Sequence, residues 1–181
     1  SGNGDGVKIM SIQTFSGDAG VSAYNEARGI KYAADNGAVI LQCSWGTNSG
    51  LADPVMFPRG YASDEEWAEN SPLEKEALDY FVHNAGSPNG VIDGGIVVFA
   101  AGNEYAAMAA YPGAYGDFIS VSSIAADFTP ASYTNYAVGV DIAAPGGDID
   151  YHQSERGGVL STLPPSVSGG IGYGYMEGTS M

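Results

Sequence analysis

Residues 95–104 read Gly-Ile-Val-Val-Phe-Ala-Ala-Gly-Asn-Glu, and this stretch decides the fold class. No polar residue interrupts it from 96 to 101. It is too short for an ordinary helix and lacks the alternation of a strand with one wet face. A strand covered on both faces has this pattern, and such strands belong to parallel sheets. Residues 38–45 (Ala-Val-Ile-Leu-Gln-Cys-Ser-Trp) repeat it, and 7–15 and 118–124 supply two more apolar runs. Helical stripes separate the runs. Ala23, Ala27, Ile30 and Ala34 recur at helical spacing over 21–36, with Asn36 and Gly37 as a stop. Leu73, Ala77, Tyr80 or Phe81, and Ala85 form a second stripe over 72–85. Ser71, Pro72 and Glu74 suit its N-cap, first and third positions, and Gly86 follows its end. Strand, helix, strand, helix, strand predicts a right-handed parallel α/β sheet.

Further from that core, residues 47–70 carry two prolines and an acidic cluster. They predict a surface excursion with a short helix at 64–70. After 125 the pattern turns to short strands and Gly-rich turns, as in 143–148 and 169–175. No internal repeat and no linker marks a second domain. The 181 residues, 44% of them hydrophobic, suffice for one domain with a real core. A net charge of -15 repels phosphate backbones and argues against a nucleic-acid partner. Only 15% of residues are charged, with 27 Gly and 12 Tyr, which suits a compact secreted protein. The single Cys43 excludes an intrachain disulfide and a multi-Cys metal site. No stretch reaches transmembrane length and no signal peptide opens the chain.

Three strand or turn ends carry chemistry-bearing residues. In Gly178-Thr179-Ser180-Met181, small neighbours would let a substrate approach the Ser180 hydroxyl. By itself the same string is more often a turn or an N-cap. Asn103 follows a buried strand, where an open parallel sheet places its ligands, and its amide can donate to charge developing on a carbonyl. Its ordinary alternative is to shape the turn. Ser44, Trp45 and Gly46 end the 38–45 run, where backbone edges could meet an extended peptide; packing is the plainer role for Trp45. Cys43 is read as packing within that strand. His83, among polar helix neighbours, and His152, in an acidic loop, are read as non-catalytic.

Taken together, residues 29–46, 95–104, 109–124, 131–149, 160–164 and 174–181 resemble the subtilisin-like serine peptidases, or subtilases, in order and spacing. The resemblance implies a three-layer α/β fold with a mostly parallel central sheet flanked by helices. It implies Ser180 as nucleophile and Asn103 as oxyanion donor. Ser44, Trp45 and Gly46 on one side, with Ala101 and Gly102 on the other, would flank the substrate side chain before the scissile bond. Residues 19–21 would pair with substrate backbone. The family's Asp and His motifs, which precede the strand matching 7–15, have no counterpart here, nor has the helix that follows its serine. The chain is therefore expected to be a partial catalytic domain, with 47–70 as an insertion.

Alone, this segment is expected to be inactive and to pair or aggregate through bare apolar edges. The parent would be a secreted or cell-envelope bacterial serine endopeptidase. Its partners would be polypeptide substrates and the remainder of its own domain. No cofactor is needed for the chemistry, while carbonyls of the 111–118 turn could hold a structural calcium or monovalent cation. Two alternatives stay open: a non-catalytic peptide-binding relative, and an acylhydrolase with a Gly-x-Ser-x-Gly elbow.

Overall fold

The computed structural model describes residues 6–15 and 22–181. The expected substrate-pairing segment, 19–21, and residues 1–5 of the opening loop lie outside the described residues. The chain divides into two compact units, one of residues 1–41 and 71–96, the other of 42–70 and 97–181.

In the first unit, helix α1 (Ala23–Asp35) packs on helix α3 (Pro72–Asn84). Most of the expected stripes are buried, with Ala27, Ile30 and Ala34 of α1, Ala77 and Phe81 of α3, and Ala85 beyond it, joined by Leu78, while the expected first positions Ala23 and Leu73 are exposed. Asn36 caps α1, and Gly37 follows in the left-handed region at φ 85°. Pro72 opens α3, but the Ser71 hydroxyl makes no cap bond; the Ser71 carbonyl accepts from Lys75 N instead. At the rim, Tyr80 donates to Asp35, and the Lys31 ammonium lies 2.6 Å from the same carboxylate. The run at 7–15 departs from expectation. Residues 7–14 form no strand, and Val7 and Ile9 are 98% and 90% exposed. Strand composition is there, but a strand exists only through a neighbour's N–H and C=O groups, and none pairs with 7–14 among the described residues.

The four-stranded sheet has the order β1 (Ile40–Cys43), β2 (Ile96–Ala100), β3 (Ile119–Ile124), β4 (Ile142–Pro145). β2 runs parallel to β3 with Val98 opposite Ile119, and β3 parallel to β4 with Val121 opposite Ile142. The α/β class is thus as predicted. Burial on both faces is not: Val97 and Phe99 are 1% exposed, whereas Ile96 is 44% exposed and Val98 and Ala100 are half-buried. An apolar run records what a strand is able to bury, and the covering layer is set elsewhere in the chain. Beyond β4 come the short helix α4 (Ile149–His152) and an antiparallel hairpin of β5 (Val159–Thr162) and β6 (Tyr173–Met176).

Residues 47–70 are anchored more firmly than a surface excursion requires. Ser49 bridges Tyr61 at the base, where a Cβ on Gly60 would stand 1.5 Å from the Asn48 carbonyl. The predicted helix forms as α2 (Asp64–Asn70). Its Trp67 is fully buried and meets the rings of Tyr111, Tyr115 and Phe118 at 5.8, 5.3 and 6.1 Å. Tyr111 donates to Asp64 at 2.6 Å. Burial, then the Asp64 carboxylate, raise the pKa of this phenol, so the donor persists at all physiological pH. Trp67→Ala should cost about 3–5 kcal/mol, the usual range for emptying a buried aromatic site. A denaturant midpoint within error of wild type would show that α2 is only draped on the surface.

Candidate active site

Strands β1, β2 and β4 end in Ser44, in Ala101-Gly102-Asn103 and in Gly146-Gly147, and residues 177–181 return from β6 to meet all three ends. Gly178 N donates to the Gly146 carbonyl at 3.1 Å and to the Tyr133 hydroxyl at 2.8 Å. Ser44 Oγ donates to the Ser180 carbonyl at 3.1 Å, and Ser180 Oγ reaches the Ser44 carbonyl at 3.4 Å. Thr179 binds the β2 end: its N and Oγ1 both donate to Asn103 Oδ1 at 2.9 Å, and its Oγ1 accepts from Gly102 N at 3.1 Å. Residues 77 and 136 positions apart in sequence are thereby held in contact.

The Thr179 contact sets the orientation of Asn103. A backbone N–H can only donate, so the amide atom facing Thr179 N is the oxygen. The NH₂ group is left on the other side. There, the Cβ position of Gly178 lies 3.6 Å from Asn103 Nδ2 and 3.7 Å from Ser180 N. Two donors and, at 3.4 Å, the Met181 Sδ thus border the point a side chain on residue 178 would occupy, and Gly178 sits at φ 144°, where L side chains are strained.

The other expected site residues are placed as follows. Gly46 is exposed, and a Cβ on it would press on the Tyr111 carbonyl at 2.9 Å. Thr47 N donates to that carbonyl, and Ala110 N donates to the Ala101 carbonyl, both at 2.8 Å. Segments 44–47 and 101–102 therefore flank residues 110–111. Trp45 is half-buried and meets Phe99 edge-on at 5.7 Å, which is the packing role. Ala101 is fully buried. Gly102 stands at φ 104°. A cavity of about 260 Å³ opens beside Ser180, lined in part by Val98, Ala100, Val121, Ala144 and Thr179. Ser44, Trp45, Gly46, Ala101 and Gly102 do not line it, so it is distinct from the expected side-chain pocket.

Neither histidine is a partner of the Ser180 hydroxyl among the described residues. His152 Nε2 points instead toward Asp127 Oδ1, 4.0 Å away. His83 lies near the end of α3 in the first unit. Cys43 is fully buried, as its strand position predicts. Among the described residues, no three His, Cys, Asp or Glu side chains gather as metal ligands. In the 111–118 turn the carbonyls of Tyr111, Pro112 and Tyr115 accept backbone N–H groups.

Sequence reasoning missed Tyr133, Glu104 and Asn135. The Tyr133 hydroxyl accepts from Gly178 N, contacts Ser123 Oγ at 2.8 Å and donates to the Gly147 carbonyl at 2.6 Å. Burial raises its pKa and keeps it a donor. Nothing in the string Ala-Ser-Tyr-Thr-Asn singles out Tyr133 or Asn135.

The subtilase family profile matches residues 1–181. The chain belongs to the subtilase family. It is 32% identical over 155 residues to thermitase of Thermoactinomyces vulgaris, covering 86% of this chain and 40% of thermitase. It is 28% identical to alkaline elastase YaB of Bacillus sp. (strain YaB), covering 97% of this chain and 34% of that protein. Among solved structures, a protease of Pseudoalteromonas arctica PAMC 21717 aligns with a TM-score of 0.62 at 27% identity, over 90% of this chain and 43% of that one. A lanthipeptide protease shares the fold, with a TM-score of 0.65 at 19% identity over 93% of this chain and 50% of that one. This subtilase chain thus spans half or less of each of these proteins. Subtilases are serine peptidases, and polypeptides are their substrates. Among the described residues, no helix is long and apolar enough to cross a membrane.

Proposed function

We propose that this subtilase chain carries the nucleophile and oxyanion donors of a serine endopeptidase that works through an acyl-enzyme. The observation that carries the reading is that Asn103 Nδ2 and Ser180 N both border the Cβ position of Gly178, with Met181 Sδ as its third neighbour. Ser180 Oγ attacks the scissile carbonyl and its proton passes to a histidine, which an aspartate orients. The carbonyl oxygen, now negative, is held by the Ser180 N–H and the Asn103 amide. Collapse expels the amine, which takes the proton, and water then releases the acyl group by the same steps in reverse. Ser44, Trp45, Gly46, Ala101 and Gly102 flank the substrate side chain before the scissile bond.

A serine hydroxyl is a poor nucleophile near neutral pH without an adjacent base. Ser180 meets a carbonyl rather than a base among the described residues, and this chain matches only 34% of alkaline elastase YaB and 40% of thermitase. The base and its orienting acid are therefore assigned to the remainder of the catalytic domain, and the 181 residues alone are expected to be inactive. Residues 47–70 are proposed as an insertion, and the whole protein as a secreted or cell-envelope bacterial enzyme, in keeping with its bacterial relatives. A structural cation at the 111–118 turn belongs to the same proposal and takes no part in the chemistry.

The test is labelling of the intact protein with a fluorophosphonate, which reacts with activated serines. Peptide mapping should place the adduct on Ser180, with peptide hydrolysis lost in proportion. Peptide binding without label or hydrolysis would identify a non-catalytic relative instead. Gly178→Ala probes the donors separately. Its methyl group would occupy the point between them, so kcat should fall about 100-fold or more, the size of losing one such donor. An unchanged kcat would place the oxyanion elsewhere.

A further inference from the structure

Asn135 is fully buried, and the side-chain hydrogen bonds it makes among the described residues all go to one short loop. An amide has two N–H donors and an oxygen with two lone pairs. All four are used. Oδ1 accepts from Glu104 N at 3.1 Å and Ala106 N at 2.9 Å. Nδ2 donates to the Ala101 carbonyl at 2.9 Å and to Glu104 Oε2 at 2.6 Å. Asn135 N donates to the Gly102 carbonyl at 3.1 Å as well. These partners lie immediately before and after Asn103, and none of the bonds involves Asn103 itself.

The loop is therefore wound around Asn135 with Asn103 at its open side. Contact is close enough to dictate sequence: a Cβ on Gly102 would stand 2.4 Å from Asn135 Nδ2. The loop also holds Tyr105 at φ 52°, a conformation that costs a non-glycine residue energy and persists where its surroundings over-determine it. A relay leads onward. Asn135 Nδ2 fixes the Glu104 carboxylate, whose Oε1 accepts from Asn103 N at 3.3 Å, and Asn103 Oδ1 accepts from Thr179 N.

We infer that Asn135 is a positioning residue that holds the Asn103 amide rigidly at the oxyanion point, acting through loop 101–106 and the Glu104 carboxylate. This rests on the proposed peptidase reading. Donors aimed in advance at developing charge work because they need no reorganisation during reaction, and such aim requires a supporting shell that does not move.

Asn135→Asp preserves size and the Oδ1 acceptor, but sets an oxygen against the Ala101 carbonyl and the Glu104 carboxylate. In the intact protein, kcat should fall about tenfold or more while KM changes less than about twofold. In an Asn103→Ala background the same substitution should add no further loss, since the group it aims is already gone. Equal losses in both backgrounds would overturn the inference and leave Asn135 as a general structural residue. Asn135→Ser serves in the same cycle where the aspartate variant does not fold. Amide exchange gives a readout free of turnover: Thr179 N–H should exchange about tenfold faster in the variant, with Val121 N–H in β3 unchanged. Unaltered Thr179 exchange also overturns the inference. A Ser180→Ala protein that still cleaves peptide would instead sink the peptidase reading, while the Thr179 exchange still decides the role of Asn135.

Discussion

Ser180→Ala in the intact protein should lower kcat about a million-fold, a magnitude carried over from subtilisin. Without the hydroxyl no acyl-enzyme can form, and the base has nothing to activate. KM should change little, because the variant retains the Ser180 N–H, the Asn103 amide and the Ser44 contact to the Ser180 carbonyl. For the same reason some catalysis over water should survive, about 1,000-fold or more, from the donors and binding alone. Stability is a built-in control. The hydroxyl's contact with the Ser44 carbonyl is long, at 3.4 Å, so its loss should shift the unfolding free energy by no more than about 0.5 kcal/mol. Retention of more than about one part in a thousand of kcat, in protein free of wild type, would exclude Ser180 as the nucleophile.

Asn103→Ala should lower kcat about 100- to 1,000-fold with KM nearly unchanged, again the range carried over from subtilisin. A donor aimed at the oxyanion acts in the transition state, so its loss appears in kcat. Asn103 has a second task, however: its Oδ1 accepts two bonds from Thr179. Asn103→Asp separates the two. The aspartate keeps the acceptor for Thr179 but turns a second oxygen toward the developing negative charge. The oxyanion role requires the aspartate variant to be at least as slow as the alanine variant. An aspartate variant faster than alanine would reduce Asn103 to a clamp on Thr179.

Much of the architecture was legible along the chain because local rules govern it. The stripes of α1 and α3, the stop at Asn36 and Gly37, the three runs that became β1, β2 and β3, and the short helix α2 each follow from periodicity, capping or run length within a few residues. The run at 7–15 departs from its strand composition because composition is local and strand pairing is not. Trp67 carries no local mark of burial, being an aromatic in a polar, proline-containing stretch; rings distant in sequence, those of Tyr111, Tyr115 and Phe118, pack against it.

Ser180, Asn103 and the glycines beside them could be picked out in the sequence, since small residues at strand ends and a Gly-Thr-Ser turn are local signals. Their meeting could not. The sequence by itself determined the α/β class, the helices and strand ends, and which side chains could serve as nucleophile and donor. Only the tertiary structure decided which way the Asn103 amide faces, that Gly178 keeps open the point between two donors, and that Asn135 and Tyr133 brace the loops on either side. The physical reason is range. Helix and strand propensities act between near neighbours, whereas the orientation of a side-chain amide is set by hydrogen-bond partners that the folded sheet brings together from 29 to 76 positions away.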